Sequence, residues 1–151
     1  MQPYLLKSIS LGPIVFRRLL ARIPADQYDT ALGDDRFTIR EVIAHLADWE
    51  VLFRGRMEAA YSGANPTIVV LDEGDRAVEL RYSETDIHAQ LEKYTFERAK
   101  TSAFLLGLKP EQFRLGYVHP AFGQMVIEDQ ANMLVGHDMY HVEQLTEYLN
   151  R

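Results

Sequence analysis

With 151 residues and no cysteine, the chain is long enough to bury its own core as one domain over residues 1–151, and any metal it binds must be held by nitrogen and oxygen ligands. The formal charge of −6 argues against a nucleic-acid partner, because phosphates need a basic face; the nearest approach to one, Arg17, Arg18 and Arg22, reads as a solvated helix surface. No apolar run approaches the ~20 residues that span a bilayer and the start lacks a secretory-signal pattern, so the expectation is no membrane partner and a cytoplasmic location.

Apolar residues at helical spacing (Leu5, Ile9, Phe16, Leu19, Leu20, Ile23) predict a first helix over 4–23. Pro13 interrupts it, so either a kink or a short lead-in with the main helix starting near Leu11 is expected. Pro24 and the acidic stretch to Asp35 end it. The second helix opens with a capping box, Thr38-Ile39-Arg40-Glu41, flanked by a hydrophobic staple of Phe37 and Val42. Its apolar stripe is Val42, Ile43, His45, Leu46, Trp49, Leu52 and Phe53, which turns His45 inward. It runs to about Tyr61, where Ser62-Gly63-Ala64-Asn65-Pro66 stops it.

Residues 62–82 are the least regular. Ile68-Val69-Val70-Leu71 has strand character but no evident partner, and reads as extended chain crossing the domain; Asp72-Glu73-Gly74-Asp75 reads as an acidic turn. A third helix starts with Ser83 as cap and Tyr82 with Ile87 as staple. It continues through Leu91, Tyr94, Phe96, Ala99, Ala103 and Leu106 to Gly107. Arg98 falls on the margin of its apolar face, where a long arginine snorkels or presents its guanidinium to an anion. A loop over 115–123 leads to a last helix over 124–150 with an inner stripe of Ile127, Gln130, Leu134, His137, His141, Leu145 and Tyr148. Four helices without a sheet predict an all-α fold, a four-helix bundle of antiparallel type.

The chemistry sits in the histidines. His137 and His141 are four residues apart, so their side chains differ by only ~40° around the helix and can share one metal ion. His45, on the inward stripe of another helix, is the third nitrogen, and bundles build metal sites from facing helices in this way. Three imidazoles leave a fourth position open, the pattern of catalytic zinc. The competing interpretation is a hydrogen-bonded core His45 with the other pair lining a groove. It needs separate partners for three buried imidazoles, since unsatisfied polar groups are costly. His88 and His119 stay outside the set, the first near an exposed helix start and the second held extended before Pro120. Asp48, Glu50 and Glu143 are positioned to orient imidazoles but read more simply as surface carboxylates.

The segment Phe37-Thr38-Ile39-Arg40-Glu41-Val42-Ile43-Ala44-His45-Leu46-Ala47-Asp48-Trp49-Glu50, the pair His119-Pro120 followed by Gly123, and His137-Asp138-x-x-His141-x-x-Gln144 together resemble the DinB-like (DinB/YfiT) superfamily over most of the chain. Tyr140 departs from it, where many members have histidine. The resemblance implies a four-helix bundle, a homodimer, and zinc or nickel held by His45, His137 and His141. It also implies a metal-dependent enzyme, a transferase or isomerase using a low-molecular-weight thiol, or a hydrolase. The alternative is a non-catalytic stress-response or binding module with a structural metal. DNA binding is suggested by the family name and opposed by the charge.

Overall fold

The longest helix starts where its capping box predicts. In the computed structural model, which describes residues 4–150, Thr38 Oγ1 accepts the Glu41 backbone N–H at 3.3 Å and the Glu41 carboxylate accepts the Thr38 N–H at 2.8 Å. Helix α2 then runs Ile39–Tyr61. Before it lies α1 (Leu5–Leu20); after it come a short α3 (Glu73–Glu79), α4 (Ile87–Leu106), strands β1 (Gly116–His119) and β2 (Gly123–Val126), and α5 (Ile127–Thr146). The four long helices form a four-helix bundle in which α1 and α2 each pack on α4 and α5.

Two apolar clusters fill the bundle. One gathers Phe16, Leu20, Ile43, Leu46, Leu91, Tyr94 and Leu145; the other gathers Leu5, Ile9, Phe53, Met57, Leu105, Ile127 and Leu134. Chain order through them gives direction: α2 and α4 run from the first cluster to the second, and α1 and α5 run the opposite way. The neighbours α2 and α4 are therefore parallel, as are α1 and α5, and the expected antiparallel arrangement holds only across α1/α4 and α2/α5. A tight turn cannot join parallel neighbours. The chain between α2 and α4 must return along the length of the bundle, which is why it is long and irregular.

That return segment is more structured than expected. The acidic turn is a helix start: Asp72 accepts from the Asp75 N–H at 2.9 Å and caps α3. Next to it, the apolar run finds a partner, with Ile68 N–H donating to the Val118 carbonyl at 3.0 Å and Val118 N–H to the Pro66 carbonyl at 2.9 Å. Helix α4 begins one turn later than predicted, because Tyr82–Glu84 forms a separate 3-10 turn and Asp86, not Ser83, accepts the Ala89 N–H at 2.8 Å. Its inner face carries Leu91, Tyr94, Arg98, Thr101 and Leu105; Phe96 and Leu106, expected inside, are 62% and 70% exposed.

The expectation of no sheet is also corrected. β1 and β2 form an antiparallel hairpin with Gly116 opposite Val126 and His119 opposite Gly123. The turn is held by His119, whose Nδ1 accepts the N–H groups of Ala121 and Phe122 at 3.1 and 3.3 Å, and by Gly123 at φ +76°, a left-handed conformation that glycine adopts at low cost. The hairpin takes up the residues expected to open the last helix, so α5 starts at Ile127.

Between the two apolar clusters lies a polar layer centred on Arg98, which is 2% exposed and neither snorkels nor faces solvent. Its Nε donates to Glu50 at 2.8 Å, and its two terminal nitrogens donate to Asp138 at 2.6 and 2.9 Å. One of them also donates to the Ile9 carbonyl at 2.8 Å. That carbonyl is free because Pro13, four residues on, has no N–H to give it; α1 runs through Pro13 as one helix. Tyr94 Oη adds a bond to Asp138 at 2.8 Å. Gly12 leaves the room: a Cβ there would meet the Asp138 carboxylate and stand 2.7 Å from Tyr94 Oη and 2.8 Å from Arg98. One guanidinium thus ties all four long helices. Its burial works against its charge, but Tyr94, Asp138 and Glu50 hold its pKa above the usual arginine value. Among the described residues, no helix is long and apolar enough to cross a membrane.

Candidate metal centre

His45 on α2 and the pair His137 and His141 on α5 meet beside this polar layer. Nε2 of His45 lies 2.9 Å from Nε2 of His137, which lies 3.1 Å from Nε2 of His141. One ring nitrogen from each falls within 4.8 Å of the others. His141 Nδ1 pairs with Gln144 Oε1 at 2.7 Å. An amide oxygen only accepts, so Nδ1 carries the proton and Nε2 turns its lone pair toward the centre. His45 is packed by Trp49 and Phe37, with ring centroids 4.6 and 5.5 Å away, and the Phe53 ring stands 5.2 Å from His137. Nδ1 of His45 is buried with no hydrogen-bond partner among the described residues.

Burial keeps these rings neutral. It lowers the His45 pKa to about 3, with the neighbouring His141 acting the same way and Asp48 opposing. His137 is pushed down to about 2 by burial, then by His141, His45 and Arg98. His141 is lowered by burial against the opposing pull of Gln144 and Asp138. The consequence for stability has a definite sign. An unfolded imidazole binds its proton near pH 6.5, well above the folded values for His45 and His137, so their contribution is complete above pH 6.5 and is lost as pH falls below it. Metal-free protein is expected to lose roughly 2–3 kcal/mol of unfolding free energy between pH 7.5 and 5.5 from these two groups. Denaturant unfolding across that range measures it; a flat profile would mean that the rings take up protons in the folded state.

Neutral imidazole nitrogens this close must share either a proton or a cation. Nitrogens bound at ~2.0–2.1 Å to a tetrahedral zinc stand ~3.3–3.4 Å apart, within a few tenths of an ångström of the contacts here. The donor set therefore fits a nitrogen-bound divalent ion with positions to spare. Beside it, a cavity of about 220 Å³ is lined by Asp35, Phe37, Glu73, Tyr140, His141 and Gln144. Tyr140, where the sequence departs from the pattern, is 61% exposed at its wall.

The carboxylates expected at the surface divide. Glu143 is exposed, but Asp48 and Glu50 are buried. Neither bonds an imidazole: Asp48 accepts from both Arg76, on α3, and Tyr82, and Glu50 accepts from Arg98. Asp48 therefore fastens the return segment against α2 close to His45. The orienting partner is Gln144 instead. His88 and His119 join no such grouping.

Over residues 12–145 the sequence matches the DinB superfamily. The chain belongs to that family. Among DinB-superfamily relatives, YfiT from Bacillus subtilis (strain 168), described as a candidate metal-dependent hydrolase, is 27% identical over 141 residues, covering 92% of this chain and 79% of its own. A protein from Bacillus pumilus (strain SAFR-032) with the same description is 30% identical over 126 residues, covering 83% and 71%. The solved structure of Bacillus subtilis YfiT, described as having an unusual four-helix bundle topology, superposes with a TM-score of 0.91 at 22% identity over 100% of this chain and 89% of that one. A mycothiol-dependent maleylpyruvate isomerase shares the fold with a TM-score of 0.76 at 15% identity, over 93% of this chain and 59% of that one. The parallel helix pairs found here belong to a fold that this DinB-superfamily chain shares with YfiT.

Proposed function

We propose that this DinB-superfamily chain is a divalent-metal enzyme in which His45, His137 and His141 hold zinc or nickel and a low-molecular-weight thiol is activated for S-transfer or isomerisation. The observation that carries this reading is the convergence of three imidazole nitrogens next to a cavity that reaches His141. When bound, such an ion lowers the pKa of a thiol or water at its open position and polarises a carbonyl. The chain supplies the rest. Three neutral imidazoles leave the ion's charge uncompensated, which favours an anionic thiolate. Gln144 holds His141 in the ligating tautomer. Trp49 and Phe37 pack His45 into place and keep water from that side. The thiol dependence of a structural neighbour supports the substrate class, and a cytoplasmic homodimer is part of the same reading.

Hydrolysis is the second reading. Asp35 and Glu73 line the cavity beside His141 and offer a carboxylate to take a proton from water, and two sequence relatives are described as candidate hydrolases. Metal-loaded protein assayed with a thiol panel against a chromophoric electrophile, and separately with activated esters and amides, separates the two. Thiol-dependent turnover that survives Glu73→Gln supports transfer; ester or amide cleavage abolished by Glu73→Gln supports hydrolysis. One bound metal per chain with neither activity assigns the ion a structural role.

A further inference from the structure

A second cavity, of about 310 Å³, lies between α2 and the return segment, lined by Leu52, Gly55, Arg56, Ile68, Val69 and Leu71 among others. Apart from Arg56 and Thr67 these walls are apolar or glycine. Arg56 is partly buried, and no hydrogen bond or ion pair engages its guanidinium among the described residues; it stands over the Phe53 ring, 5.3 Å from ring centre to guanidinium carbon, and near enough to Tyr117 and His119 to act on their charge. The other arginines of α2 behave differently: Arg40 pairs with Asp29 and Arg54 with Glu97. A partly buried guanidinium with no acceptor in the chain is open to an anionic partner, and burial lowers its pKa with Tyr117 opposing.

Gly55 adds an independent observation. It sits in the interior of the longest helix, where glycine costs about 1 kcal/mol relative to alanine. Its φ is not positive, and a Cβ built there meets nothing within 4 Å. Neither backbone conformation nor packing requires glycine at 55; its effect is to keep the cavity wall open next to Arg56.

We propose that Arg56 and this cavity form a binding site for a small carboxylic acid with an apolar body, the carboxylate on the guanidinium and the hydrocarbon against Leu52, Ile68 and Leu71. A guanidinium offers a carboxylate two parallel hydrogen bonds, and the volume sits at the lower end of small-molecule pockets, which sets the scale of the acid at a short chain or a single ring. The Phe53 ring contacts both Arg56 and His137, at 5.3 and 5.2 Å, so the guanidinium carbon lies no farther than about 10.5 Å from the His137 ring centre. The site stands apart from the metal reading and is tested without it.

The test titrates hexanoate, hexanol and succinate into the full chain as purified and again after metal removal, followed by NMR of the Arg56 Nε–H and the backbone amides. Saturable shifts confined to Arg56, Leu52 and residues 67–71 are expected with hexanoate, and at least tenfold weaker responses with hexanol and succinate. Arg56→Gln should weaken hexanoate about tenfold and leave hexanol unchanged. Gly55→Leu, which fills the cavity while favouring the helix, should abolish hexanoate binding with the fold retained. Shifts that spread over the surface without saturating, or hexanoate binding untouched by both substitutions, overturn the proposal.

Discussion

Arg98→Met is expected to remove roughly 3–5 kcal/mol of unfolding free energy, the range for breaking a buried ion pair by deleting one partner. The loss is large because of what the arginine leaves behind. Glu50 and Asp138, 1% and 6% exposed, would keep their charges without a cation, and the Ile9 carbonyl that Pro13 cannot serve would lose its donor. For a chain of this size that corresponds to a fall in Tm of roughly 10–15 °C, measurable by calorimetry at pH 7. Removing the stranded carboxylates as well, by adding Glu50→Gln and Asp138→Asn, should recover a good part of the loss, since buried charge without its partner is the main penalty. Gly12→Ala is expected to act in the same place, forcing the layer apart at a cost of about 1–3 kcal/mol. A loss below 1 kcal/mol for Arg98→Met would mean that water reaches this layer.

His137→Ala should cost at least ~100-fold in zinc or nickel affinity, because removing a ligand exceeds the ~10–100-fold cost of removing only an orienting partner. Competition against a chromophoric chelator, with elemental analysis of the purified variant, measures it. The fold should survive, since His137 is only partly buried. Metal-free variant and metal-free parent are expected to agree within about 1 kcal/mol at pH 7. Below pH 6.5 the variant should lose stability more slowly, by about 1.4 kcal/mol per pH unit, because one depressed imidazole no longer has to be kept neutral. Retained metal would remove His137 from the ligand set; a melted variant would assign the ion a structural role.

Much of this arrangement is legible in the sequence where the signal is local. The capping box at Thr38 needs only residues 38–41, and it fixes the face on which His45 emerges. The inner stripe of α5 likewise points His137 and His141 together. What escaped is pairing across distance. An arginine at a stripe margin reads as snorkelling or as facing an anion until Glu50, Asp138 and the Ile9 carbonyl are known to surround it. The available signals were a Gly12-Pro13 step inside an apolar helix and an acid between two histidines. Strand pairing is non-local too: Gln124-Met125-Val126 carries no helix stop, so it read as the beginning of α5 rather than the partner of β1. Ser83 read as the cap of α4; Tyr82, whose hydroxyl is held by Asp48 at 2.8 Å, is anchored in the 3-10 turn that leaves Asp86 to start the helix.

Consecutive residues leave a helix ~100° apart, so Asp138 and His137 face different neighbours, and gripping one orients the other. Asp138 is gripped by two nitrogens of Arg98 and the hydroxyl of Tyr94, which stops α5 from rolling about its own axis. A ring nitrogen ~6 Å from that axis sweeps about 1 Å when the helix rolls ~10°, and a misplacement of 1 Å can cost a reaction about 100-fold. Arg98 thus serves as a mechanical stop that indexes the aim of His137 and His141. Through the carbonyl that Pro13 frees on Ile9, the stop is itself indexed against α1.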